Sequence, residues 1–146
     1  MDVRRLTDTD AQTIAAWRYP DRYSTYDVGE IVSAADGFWA VERDAELIGY
    51  CCFGAEARVP GVEEEAGTLD VGYGLRPDLV GQGQGPAFAQ AIVDFGVDRF
   101  APERLRLLIL DWNERSRKVA ERLGFARDGS VESLEGRFLV MRRAAR

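Results

Sequence analysis

The sequence predicts an α+β domain in which helices flank a central sheet, and three observations carry that expectation. Strand-like and helix-like stretches follow one another along all 146 residues, which suits a layered sheet-and-helix architecture. Phe88, Ile92 and Phe95 recur at i, i+4 and i+7, so a helix there buries one face. Residues 105–110, Leu-Arg-Leu-Leu-Ile-Leu, are apolar enough for a strand covered on both sides.

The elements follow in order. A short strand at 3–6 precedes Thr7, Asp8, Thr9 and Asp10, which supply cap candidates for a helix carrying Ile14 and Trp17 on one face. A polar and aromatic loop at 19–26 leads to a second short helix near 28–35. Residues 38–43 and 46–53 read as a hairpin turning at Asp44-Ala45. Residues 59–67 form an acidic loop holding Glu63, Glu64 and Glu65, and a strand at 68–75 runs into a glycine-rich turn. After the helix of Phe88 and the strand at 105–110, a helix capped by Asn113 ends at Gly124. Two strands, near 125–131 and 137–142, close the order.

Composition bounds the function. A chain of this length forms one domain, spanning 1–146, that buries roughly two-thirds of its unfolded surface. Hydrophobic content of 46% and charged content of 30% describe a soluble globule. No apolar run approaches the ~20 residues that span a bilayer, so no membrane partner is expected, and no signal peptide is visible. Adjacent Cys51 and Cys52 point to opposite faces of a strand and read as reduced, structural thiols, with cytoplasm as the expected compartment. Net charge is −6, with 18 arginines and one lysine, Lys118; this disfavours nucleic acid and weakly draws cationic amines. The chain has no histidine. That excludes Ser-His, Cys-His and imidazole metal sites and leaves acid–base chemistry to carboxylates, tyrosines, thiols or water. No metal is called for.

The most informative stretch is Val80-Gly81-Gln82-Gly83-Gln84-Gly85-Pro86, between a strand and a helix. Glycines let several N–H groups approach one ligand, and Pro86 suits the first turn of a helix, where a missing N–H costs nothing. A strand, a glycine loop and a helix N-terminus make a phosphate cradle. No Lys-Ser or Lys-Thr follows, so a P-loop is excluded. Proline at 86 breaks the dinucleotide fingerprint.

With these residues the chain resembles the GNAT superfamily of N-acetyltransferases, whose acetyl-CoA motif is [QR]-x-x-G-x-[GA]. Gly83 and Gly85 match, and Val80 stands at the usual Gln or Arg. A second segment, from Asn113 through Ser116 and Ala120-Glu121 to Gly124-Phe125, is similar to the family's N-x-x-[AS]-x-x-x-Y-E-x-x-G-F, with Ala120 at the tyrosine. The resemblance covers nearly all of the chain. It implies a mixed, mostly antiparallel sheet of six or seven strands with flanking helices, acetyl-CoA as donor and a primary amine as acceptor. A homodimer stays open.

The resemblance also implies roles. Backbone N–H groups of Val80, Gly81, Gln82, Gly83, Gln84 and Gly85 would hold pyrophosphate. Exposed backbone of Tyr73 and Leu75 would pair with pantetheine, one N–H serving as oxyanion donor. Asn113 and Ser116 would contact the cofactor, Asn113 being equally a helix cap. The run Asp70-Val71-Gly72-Tyr73-Gly74-Leu75-Arg76-Pro77 resembles a strand of GNAT enzymes that modify ribosomal-protein N-termini, making Asp70 the candidate base. Tyr73 or a water would replace the acid missing at Ala120. From the residues themselves, Trp17 and Tyr26 bound an aromatic-rich segment that reads either as a cage for a cationic amine or as a cluster covering the sheet. Two rivals remain: a non-catalytic acyl-CoA-binding or regulatory module, favoured by Val80 and Ala120, and a toxin acting on aminoacyl-tRNA, disfavoured by the −6 charge.

Overall fold

The computed structural model describes residues 1–29 and 32–146. Its strands are β1 (Asp2–Arg5), β2 (Phe38–Arg43), β3 (Glu46–Phe53), β4 (Thr68–Leu75), β5 (Arg104–Leu110), β6 (Ala126–Ser133) and β7 (Gly136–Ala144), and its helices α1 (Asp8–Ala15), α2 (Gly85–Phe100) and α3 (Glu114–Arg122). One seven-stranded sheet has the order β1-β2-β3-β4-β5-β7-β6. Every neighbouring pair is antiparallel except β4 and β5, which run parallel. The expected α+β class and mixed sheet are both present.

Local chemistry explains the boundaries. Thr7 and Asp10 form a reciprocal capping box at α1, with N–H to side-chain distances of 3.1 and 2.9 Å, a device worth about 1 kcal/mol. The β2–β3 turn places Asp44 and Ala45 at φ 51° and 63°, the left-handed pair of a two-residue hairpin. Trp17, expected on α1, lies past its end. The helix expected near 28–35 is not seen in its described parts: Gly29 sits at φ +68°, where no α-helix continues, and the regular turn is instead a 3-10 helix at Asp21–Tyr26. Residues 30 and 31 of that expectation lie outside the described ones.

The two faces of the sheet carry separate cores. Against one, α2 delivers Phe88, Ile92 and Val93 onto Val41, Ile48, Val71, Leu105 and Met141. Phe88 approaches so closely that a Cβ on Gly49 would lie 2.5 Å from its ring. Against the other, α1 packs Ala11 and Ile14 on Leu6 and Ala40. Cys51 and Cys52 are free and buried. Burial pushes both thiols up, Cys52 to about 12, which keeps them protonated and unreactive.

Candidate active site

The parallel pair β4/β5 opens a fork. Their ladder holds only Thr68–Arg104, Leu69–Leu105 and Asp70–Arg106, while β4 runs on to Leu75 and β5 to Leu110. Beyond Asp70 the two strands line a cavity of about 340 Å³. Its backbone polarity follows from the ladders on the outer sides. Arg76 donates to the Ile48 carbonyl at 2.8 Å, so alternation turns Gly72, Gly74 and Arg76 toward β3 and sends the N–H and C=O of Val71, Tyr73 and Leu75 into the fork. Asp111 donates to Arg137 at 2.9 Å, so Leu108 faces the fork from β5 by the same reasoning.

The glycine loop closes one end. After a 3-10 turn at Pro77–Leu79, Gly81 and Gly83 take φ +78° and +82°, which L side chains rarely adopt. The first bond of α2 runs from Phe88 N–H to the Gln84 carbonyl, 3.0 Å. The N–H groups of Gln84, Gly85 and Ala87 therefore precede the helical ladder and carry the positive end of its dipole. Gly85 lets α2 meet α3 closely, since a Cβ there would lie 3.0 Å from Val119. Val80, Gly81, Gly83 and Gly85 line the cavity, whereas Gln82 and Gln84 do not. The Gln84 side chain turns away to accept a 2.5 Å hydrogen bond from Arg43.

The start of α3 forms the opposite wall. Asn113 caps the helix, its Oδ1 accepting from Ser116 N–H at 3.1 Å, while its Nδ2 donates to the Tyr26 hydroxyl at 2.8 Å. Ser116 lines the cavity. Ala120 is fully buried in the core and presents no hydroxyl. The Tyr73 ring meets Phe88 edge-on at 5.8 Å, and burial pushes its phenol up to about 12, partly offset by the Ser116 side chain. Tyr73 is therefore a neutral O–H donor throughout the physiological range.

Tyrosines cover the far limb. Tyr19, Tyr23, Tyr26 and Tyr50 all line it. The Tyr50 ring lies directly on Gly74, where a Cβ would sit 2.5 Å from it. Tyr19 donates to the Leu75 carbonyl at 2.6 Å, so of the two Leu75 backbone groups expected to meet a ligand, the carbonyl already has a partner. Of the two aromatic candidates, Tyr26 lines the cavity and Trp17 does not; Trp17 packs 6.4 Å from Tyr50 in the α1-side core. Arg22 lies 4.0 Å over Trp112, and Arg115 lies 5.0 Å over Tyr23.

Asp70 differs most from its expected place. It is 1% exposed and does not line the cavity. Arg106 binds it through Nε at 2.5 Å and Nη2 at 3.0 Å, and Arg58 adds a third contact at 3.0 Å. Both oxygens are engaged by cations, so the carboxylate is not positioned to take an amine's proton. Arg106 extends the network to the Glu63 carbonyl at 2.9 Å and to Glu65. Strand alternation places Asp70 on the face away from α2, and the guanidinium opposite it in register settles the matter. Sequence reasoning assigned no role to Arg106, Arg115 or Tyr50. Arg115 carried a signal in its place within the Asn113–Ser116 motif, and Tyr19 lay within the aromatic segment already singled out.

Comparison with known proteins agrees with this geometry. The family model described as an acetyltransferase (GNAT) domain matches residues 1–126. Among solved structures, aminoglycoside acetyltransferase AAC(6')-Ib in complex with coenzyme A superposes with a TM-score of 0.77 at 20% identity, covering 97% of this chain and 93% of that one. A chimera of the spermidine N-acetyltransferase SpeG from Vibrio cholerae gives 0.74 at 14%, covering 99% and 95%. The ribosomal-protein-S5-alanine acetyltransferase from Vibrio fischeri gives 0.67 at 17%, covering 98% and 92%. Among curated proteins, no match is found. With its forked sheet, its glycine loop at the mouth of α2 and a family match over most of its length, the chain belongs to the GNAT acetyltransferases.

Proposed function

We propose that the protein transfers an acetyl group from acetyl-CoA directly to a primary amine, on a small molecule or a peptide N-terminus, within a ternary complex. The carrying observation is the fork of β4 and β5 ending on the glycine loop. The residues present fit a long thioester with a diphosphate. Gly83 has open space where a Cβ would stand, Gly85 and Pro86 at the start of α2 line the same cavity, and the inward backbone of Tyr73 and the Leu75 N–H offer partners for amide groups. Solved neighbours in complex with coenzyme A or acetyl-CoA support this choice of donor.

When bound, acetyl-CoA supplies an activated acetyl carbonyl and a thiol leaving group. The chain's own residues do the rest. An N–H directed into the fork, from Tyr73 or Leu75, polarises the carbonyl, a contribution typically worth several kcal/mol. As the C–N bond forms and the C–S bond breaks, the Tyr73 hydroxyl, beside Ser116, would give its proton to the departing sulfur, the role Ala120 cannot fill. It would regain one from the acylated nitrogen, so that amide and thiol leave with the phenol restored. Asn113 orients Tyr26 and lines the donor's path. The acceptor enters along the tyrosine limb, where Tyr26 and Tyr50 bound its body.

Because Asp70 is held by two arginines, the acceptor does best arriving as the neutral amine. At pH 7 an α-amine of pKa ~7.8 is roughly 14% neutral, against about 0.04% for a lysine-type amine of pKa ~10.4. This favours α-amines and other weakly basic amines. The test is a panel of amino acids, peptides, arylalkylamines, polyamines and aminoglycosides incubated with acetyl-CoA, with mass spectrometry of the products. Acetylation concentrated on weakly basic amines supports the reading; acetylation of polyamines alone refutes the acceptor class.

A further inference from the structure

We propose that Arg115, in the first turn of α3, is the side-chain cation that grips the pyrophosphate of the acyl-CoA donor, supplying from another helix what position 80 lacks. The inference rests on the acyl-CoA reading above and adds a residue to it. At position 80 the glycine loop carries valine, whose side chain has no donor. The next residue faces Arg115 directly. A Cβ built on Gly81 would lie 3.8 Å from Arg115 Nη2 and 3.9 Å from its Cζ, with no nearer neighbour.

Three further features mark this exposed guanidinium as a ligand group. It lines the cavity. Its other side rests on the Tyr23 ring, 5.0 Å from the centroid, so the side chain is held across the loop from the aromatic limb. The neighbouring cations of α3 are differently engaged: Arg117 pairs with Glu114 and Glu121, and Lys118 with Glu114, whereas Arg115 pairs with no carboxylate among the described residues. A guanidinium facing a loop of left-handed glycines, beside amides at the positive end of α2, concentrates positive potential at one point. An anion bound there relieves that repulsion, and Arg is the side chain best shaped for two phosphate oxygens at once.

The experiment is calorimetric titration of the full chain with CoA and with 3′-dephospho-CoA, for the wild type, Arg115→Gln and the double variant Arg115→Gln with Val80→Arg. Arg115 is exposed and caps nothing, so thermal unfolding of Arg115→Gln stays at the wild-type temperature. The expected result is a rise in Kd of about tenfold or more for both ligands, the scale of one charge-assisted hydrogen bond, partly reversed by arginine at position 80. Unchanged CoA affinity in Arg115→Gln overturns the proposal. A loss seen with CoA but not with 3′-dephospho-CoA also overturns it, because the cation would then serve the 3′-phosphate. A wild type that binds neither ligand defeats the donor reading itself, a different outcome from either.

Discussion

Asp70 and Arg106 face each other as the last register pair of the parallel ladder, with Asp70 Oδ1 accepting from Arg106 Nε at 2.5 Å. The ion pair sits where the fork begins, and it fixes the point at which β4 and β5 part. Asp70→Asn leaves Arg106, itself 5% exposed, without its buried counter-charge. The expected cost is about 3–5 kcal/mol of stability, read from denaturant unfolding, with kcat of the folded fraction changed only a few-fold. A variant of native stability whose rate collapses would restore Asp70 as a base.

Tyr73→Phe removes the hydroxyl beside Ser116 while keeping the ring against Phe88. General acid catalysis of this kind contributes about 10²–10⁴-fold, so kcat falls by that order while the Kd for acetyl-CoA holds within about twofold. Rapid-quench kinetics with parallel titration separates the two quantities. An unchanged kcat assigns the proton to water.

Gly74→Ala drives a methyl into the Tyr50 ring, 2.5 Å away. Overpacking of this kind costs about 1–3 kcal/mol. Because Tyr50 bounds the acceptor limb and not the glycine loop, KM for the amine rises while affinity for CoA is held. Equal losses in both would place Tyr50 on the donor path.

The Asp10 carboxyl is held down at about 2, from an ordinary 3.8, chiefly by its hydrogen bond from Arg4. A depressed folded-state pKa means stability that is fully present above the unfolded value and lost as pH falls through the folded one. Folding stability therefore drops by about 2 kcal/mol between pH ~4 and ~2. Asp10→Asn flattens that window in urea unfolding measured across it. An unaltered slope shows that other carboxylates set it.

Most of the frame was legible in the sequence because it rests on local chemistry. β2, β3 and β4 fall at their expected residues, since alternation and turn residues act within a few positions. Asn113 caps α3 as its side chain and position require. The glycine loop was readable because left-handed backbone selects glycine. What failed were statements about partners distant in sequence. Asp70 looked like a free carboxylate until Arg106, 36 residues on, proved to lie opposite it. Trp17 was open to either aromatic reading until the end of α1 set it, partly buried, against Tyr50. Arg115 could not be tied to Gly81 without knowing that α2 and α3 pack side by side.

Direct transfer from acetyl-CoA to an amine that arrives neutral is best checked by the pH dependence of CoA thiol release with an α-amine peptide as acceptor. Release is expected to require the amine and to rise with pH along the amine's own titration, shifting upward when a more basic amine replaces it. Tight acetyl-CoA binding with no amine-dependent release would contradict it and leave a binding module. A limb that stays fixed when the amine is changed would instead reveal a base on the enzyme.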